Sequence, residues 1–125
     1  MAIATLCTVV LDCPDPAALA RFYAGVLGGE VVAEREGPDA WFELTGAGGT
    51  TLAFQAAPGY VPPSWPAPNG SQQFHLDLDV TDLDAAEEQV LALGATVLDA
   101  ADRKRSFRVY ADPAGHPFCL CLCAG

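Results

Sequence analysis

His75 and Asp77 stand two residues apart in the run Phe74-His-Leu-Asp-Leu-Asp-Val80, where polar and apolar residues alternate. On a strand this alternation puts His75, Asp77 and Asp79 on one face and Leu76, Leu78 and Val80 on the other. An imidazole beside a carboxylate suits general acid–base chemistry. His75 is therefore the catalytic candidate if the chain is an enzyme, with Asp77 orienting or charging it. The plainer alternative is a neutral imidazole held in place by hydrogen bonds. Cys119, Cys121 and Cys123 also alternate, so they share a strand face at spacings of about 7 Å. Neighbouring thiols at that distance cannot clamp one ion without a bend, and small apolar packing residues are expected. A Cys119 thiol activated by the His75 imidazolium is the alternative, but it would need an oxyanion hole that the sequence does not display. His116, between Gly115 and Pro117, is expected to be a turn or surface residue.

Two further groups could touch a ligand. Arg103, Lys104, Arg105 and Arg108 are four of the six basic residues and lie within six positions. They read as a solvated hairpin turn or, alternatively, as an anion-attracting rim, with Arg108 as a polar ligand contact. Trp65 sits in the Pro-rich stretch from Ala56 to Gln72, which also holds Pro58, Pro62, Pro63, Pro66 and Pro68. Such proline density excludes a central strand or a helix interior, leaving a linker or a lid. A tryptophan there has little core to join and is free to stack on a flat ligand. Trp41, Phe54, Phe107 and Tyr110 read by default as core or sheet-surface residues.

Ten elements must position these side chains. Leu6–Cys13 reads as a strand, and Asp15 then caps a helix with Pro16 at its first position. Leu19, Phe22, Tyr23 and Val26 make the buried face of that helix, and Gly28-Gly29 stops it. Residues 30–36, 40–44 and 51–55 are the next three strands, separated by glycine-bearing turns. After the Pro-rich stretch the order begins again. Residues 74–80 form a strand, and Asp82 caps a helix with Leu83, Ala86, Val90 and Leu93 as its stripe and Gly94 at its end. Strands follow at 96–99, 106–110 and 118–123. The order is βαβββ twice, and Asp12-Cys-Pro-Asp15 returns as Asp79-Val-Thr-Asp82 at a spacing of 67 positions.

The expected fold is therefore α+β, with two βαβββ modules forming a curved mixed sheet around a cavity. It is one domain over 1–125, with a first half at about 5–56, a Pro-rich linker or lid at 57–72 and a second half at about 73–124. Each helix covers one sheet face and leaves the other open, so the open faces should line a trough. The spacing of 67 pairs Thr8 with His75 and Leu52 with Cys119, and these four form the expected floor.

Composition narrows the partners. Hydrophobic residues make up 51% of the 125, enough for a sizeable core. Formal net charge is −10, from 16 acidic and 6 basic residues, which repels nucleic acid and anionic membrane alike. No apolar run reaches the roughly 18 residues of a membrane span. The N-terminus lacks a signal-peptide pattern, and five cysteines without a C-x-x-C pair read as reduced thiols, so a cytoplasmic protein is expected.

Three segments carry a family resemblance: Val9-Val-Leu-Asp-Cys-Pro-Asp15 leading into Ala20-Arg-Phe-Tyr23, Gln72–Val80, and Asp112-Pro-Ala-Gly-His-Pro-Phe118. Together they resemble the vicinal-oxygen-chelate superfamily of glyoxalase-like and bleomycin-resistance-type proteins. Pro62-Pro-Ser-Trp-Pro66 resembles the small actinobacterial glyoxalase-like subgroup. Metal-dependent members hold a divalent cation at the floor positions through His, Glu or Gln, where it polarises substrate oxygens. Here Thr8 is a poor ligand, Leu52 is none, and Cys119 stands where a carboxylate is usual. One imidazole and one thiolate fall short of the usual set of about three or four. No metal and no other cofactor is expected; a divalent metal at His75 and Cys119 is the alternative. The resemblance implies a metal-free protein that binds a small aromatic or apolar molecule, as in antibiotic sequestration. Thr8, Phe54, Trp65, His75, Asp77, Arg108 and Cys119 are the expected ligand contacts. The alternative is an enzyme: a lyase, isomerase or dioxygenase with an atypical metal set, or one using His75 as acid or base. A homodimer is expected by analogy.

Overall fold

A computed structural model describes residues 2–64 and 74–122. The chain divides into two compact units, Met1–Tyr60 and Val61–Gly125. The first unit contains β1 (Thr8–Cys13), α1 (Pro16–Leu27), β2 (Glu30–Arg35), β3 (Trp41–Thr45) and β4 (Thr51–Ala56). The second contains β5 (Leu76–Val80), α2 (Leu83–Leu93), β6 (Thr96–Asp99), β7 (Phe107–Ala111) and β8 (Pro117–Leu122). The two sheets have matching orders, β1-β4-β3-β2 and β5-β8-β7-β6. In each, the first strand runs parallel to the last, while the other pairs are antiparallel. A parallel pair needs a long connection, supplied by α1, β2 and β3 in the first unit and by α2, β6 and β7 in the second.

The caps explain where the helices begin. Asp15 accepts from the Ala18 backbone N–H at 3.2 Å and Asp82 from that of Ala85 at 3.1 Å. Each satisfies a donor that the first helical turn leaves unpaired. Gly94 closes α2 in the left-handed region at φ 117°. The core of the first unit forms where Leu19, Phe22 and Tyr23 meet Leu11, Phe42, Leu44 and Phe54. Leu83 and Val90 are the buried residues of α2, whereas Leu93, expected in its stripe, is exposed.

Register corrects one expectation. α1 has 12 residues and α2 has 11, so the repeat spacing shortens by one after the helices. Val10 pairs with Ala53, and its equivalent Asp77 pairs with Cys119. The counterpart of Cys119 is therefore Ala53, not Leu52. Leu52 lies beside Leu44 on the helix-facing side of the first sheet.

Candidate functional site

The open face of each sheet follows from strand parity. In the first unit it carries Thr8, Val10 and Asp12 on β1, with Thr51, Ala53 and Gln55 paired beside them. Gln55 Nε2 donates to Asp12 Oδ1 at 3.3 Å along this face. Trp41 and Glu43 extend it on β3, where the indole N–H donates to Glu43 Oε2 at 3.1 Å. In the second unit Asp77 and Asp79 lie beside Cys119 and Cys121, and these in turn lie beside Val109 and Phe107.

His75 enters this face from the residue before β5. Its Nε2 lies 3.2 Å from Asp77 Oδ1, and both side chains are exposed. The ligand atoms of His75, Asp77 and Cys119 all lie within 4.8 Å of one another. Cys119 is buried, and its thiol is pushed up to about 12, by burial first and by Asp77 second. The Cys121 thiol is raised for the same two reasons in the same order. A thiol with so high a pKa is protonated at neutral pH, so the reactive Cys119 weighed from sequence does not match this environment. The four described cysteines, Cys7, Cys13, Cys119 and Cys121, are free thiols.

The basic cluster resolves into ion pairs. Arg103 Nη1 contacts Glu87 Oε2 at 3.2 Å, and Arg105 Nη2 contacts Asp99 Oδ1 at 2.9 Å. The Arg105 guanidinium also lies 4.5 Å from the centroid of Phe107, a cation–π contact at the edge of the open face. From sequence Arg105 reads first as part of a solvated turn and only alternatively as part of a ligand rim; the turn geometry puts it at the edge of this face.

Two expected ligand contacts lie on the other side of their sheets. Arg108 is buried with its Nη2 2.9 Å from Asp84 Oδ1, so it faces α2. Phe54 is buried and stacks on Tyr23 of α1 at 5.8 Å. Both are core residues, because parity gives the open face to their neighbours. Thr8 is on the open face of the first sheet, as expected. Trp65 and Cys123 lie outside the described residues. His116 is in the turn before β8, where its backbone N–H donates to Asp112 Oδ1 at 3.0 Å. A groove of about 540 Å³ lies beside α2 and β6, lined by Glu87, Leu91, Val97, Asp99 and Arg103 among others, and none of the expected ligand contacts among the described residues borders it.

The sequence from residue 8 to residue 121 matches the family of glyoxalase-like domains. The chain belongs to that family. No curated protein matches it in sequence. Solved structures share the α+β fold of two βαβββ modules. A glyoxalase/bleomycin resistance protein/dioxygenase family enzyme from Burkholderia phytofirmans PsJN superposes with a TM-score of 0.72 at 20% identity, covering 95% of this chain and 98% of its own. A fosfomycin resistance protein from Mesorhizobium loti gives 0.71 at 18%, covering 96% and 92%. An antibiotic-binding protein from Streptomyces sp. CB03234 gives 0.59 at 20%, covering 98% of each chain.

Within this glyoxalase-like domain the fit to a family metal is uneven. Thr8 and Ala53 hold the floor positions of the first unit, and alanine has no donor. The second unit gathers one nitrogen, one oxygen and one sulfur ligand. Asp77 supplies the third donor that a count of floor positions overlooks. None of the described helices is long and apolar enough to cross a membrane.

Proposed function

We propose that this glyoxalase-like domain binds a small molecule with a flat apolar part at the open face of its second sheet, and holds it without chemical change. The carrying observation is the composition of that face. Val109 and Cys119, both buried, adjoin the exposed His75–Asp77 pair, with Arg105 and the exposed Phe107 at the edge. A mostly apolar surface with a few fixed polar groups is the usual chemistry of a small-molecule site. Relatives of the same fold that resist fosfomycin or bind antibiotics support sequestration of an antibiotic as the biological use. Trp65 is proposed as a stacking contact and Thr8 as a polar one. The protein is further proposed to act in the cytoplasm as a homodimer, which light scattering on the eluting protein would check.

The test is equilibrium dialysis against a panel of fosfomycin and aromatic antibiotics, followed by mass spectrometry of the bound fraction. The expected result is saturable retention of at least one compound at unchanged mass. Retention of none, or recovery of every retained compound in altered form, would sink the reading.

A second reading, an enzyme, is favoured by the His75–Asp77 contact and by the three gathered donors. Asp77 can fix the imidazole tautomer for acid–base work. A divalent cation bound there would supply a Lewis acid. If turnover is found, a His75→Ala variant that keeps full rate removes the acid–base version.

A further inference from the structure

We propose that the groove between α2 and β6 is a second small-molecule site, which takes a linear carboxylic acid of medium length with its carboxylate on Arg103. The groove lies on the helix side of the second sheet, away from the open face that carries His75 and Asp77. Neither site depends on the other.

Strand register makes the apolar wall. Val97 pairs with Tyr110, and the Tyr110 hydroxyl reaches Glu87 of α2 at 2.8 Å, so Val97 stands on the helix side of the sheet. It is nevertheless 50% exposed, with Leu91 at 39% and Leu98 at 36%. Apolar side chains left uncovered beside a helix are a mark of a binding surface. The first unit is filled where the second is open. α1 buries Ala20 and four other residues, and Val31, the equivalent of Val97, is half-buried. At the position of Ala20 α2 carries Glu87, and the buried residues of that helix are Leu83 and Val90. The space left is about 540 Å³, inside the range of roughly 300–1,000 Å³ usual for small-molecule sites. The four residues of β6 run for about 10 Å at roughly 3.3 Å each, the reach of an extended alkyl chain such as that of octanoate.

The charges along the groove choose the head group. Arg105 is taken by Asp99, which also lines the groove, and Arg108 by Asp84. Arg103 borders the groove and spends Nη1 alone, on both carboxylate oxygens of Glu87. Among the described residues nothing pairs with its Nε or Nη2. Those two nitrogens form one planar edge of the guanidinium, which matches a carboxylate bidentately. Glu87 holds Arg103 in place, and its own charge is offset by the Tyr110 hydroxyl and by buried Arg108 Nη1 at 3.7 Å. An acid with an apolar tail therefore meets a fixed cation at one end and Leu91, Val97 and Leu98 along its length. An ammonium on the same tail would face Arg103 and be repelled.

The full chain, labelled with nitrogen-15, is titrated with octanoate while its backbone amides are followed by NMR. Saturable shifts are expected at Leu91, Val97 and Leu98, with Asp77 and Cys119 unmoved. A fully buried methylene tightens binding about fourfold, and one covered on a single side about twofold, so decanoate should bind about fourfold tighter than octanoate. Octylammonium should bind at least about tenfold more weakly than octanoate. Arg103→Gln, a change at an exposed side chain, should weaken octanoate about tenfold and erase the preference over octylammonium. Lys104→Gln removes the same charge one residue along the turn and should change affinity by less than about twofold. The proposal is overturned by the absence of saturable shifts, by shifts centred on Asp77 and Cys119, by an equal response to octylammonium, or by an equal loss in Lys104→Gln. A protein that fails here but retains an unchanged antibiotic on dialysis has lost only this inference; the converse result removes only the open-face reading.

Discussion

Arg108 is a long cation on a strand whose neighbours Phe107 and Val109 face the opposite way, and that single alternation decides its role. It is 3% exposed, and beside it Tyr110 donates to Glu87 Oε1 at 2.8 Å. Arg108→Met should destabilise the protein by about 2 kcal/mol in urea unfolding and leave ligand retention unchanged. The cost is moderate because exposed Asp84 is rehydrated freely, while Glu87 keeps Arg103 and Tyr110. Loss of ligand retention in a folded variant would return Arg108 to the site. Tyr110 makes a second prediction. Its phenol is pushed from 10 up to about 12, by burial first and by the bond to Glu87 second. The unfolded chain therefore releases this proton before the folded one does. The stabilisation is fully present below about pH 10 and is lost as pH rises towards 12. Tyr110→Phe should be less stable than the parent at pH 8 by about 1 kcal/mol, and the gap should narrow by pH 11. A gap constant across that range would contradict the assignment. His75 and Asp77 were legible in the sequence because strict alternation exposes a shared face. Arg108 was not, since an arginine beside a turn reads as solvated until its helix partners are known; Phe54 read both as core and as a ligand contact, and its stack on Tyr23 decides for the core.

At the scale of elements, most of the architecture could be read from cap chemistry and glycine. Asp15 with Pro16, Asp82, and the glycines ending both helices fixed the order of the two modules. What the repeat could not show was that α2 is one residue shorter than α1. A constant spacing then slides past β4 by one position and exchanges the two faces of that strand, which is how Leu52 was mistaken for the partner of Cys119. The end of α1 carries its own constraint. Gly29 has φ 85°, and a Cβ there would collide with the Thr45 carbonyl oxygen of β3. Gly29→Ala should cost about 2 kcal/mol or more, because both the backbone conformation and the strand behind it resist. A melting temperature equal to that of the parent would show that the β2–β3 corner yields more easily than this geometry allows.

The whole molecule repeats one skeleton and varies only what stands on it. Trp41 on β3 corresponds to Phe107 on β7, and each has a guanidinium over its ring: Arg35 at 5.9 Å and Arg105 at 4.5 Å. Equivalent positions diverge where chemistry begins, with Val10 and Ala53 in the first unit against Asp77 and Cys119 in the second. Among the described residues, the three clustered metal-ligating side chains all stand in the second copy. In sequence the Pro-rich stretch belongs to neither repeat, so its Trp65 is read from composition alone. The chain has two tryptophans, and Trp41→Phe leaves Trp65 as the sole indole reporter. If Trp65 stacks on the ligand, adding a retained antibiotic to Trp41→Phe should quench and shift the remaining emission. Trp65→Ala should then weaken binding about fivefold, the equivalent of about 1 kcal/mol of stacking. Emission that ignores a saturating ligand, with affinity unchanged in Trp65→Ala, would make the stretch a plain connector and leave recognition to the His75 face.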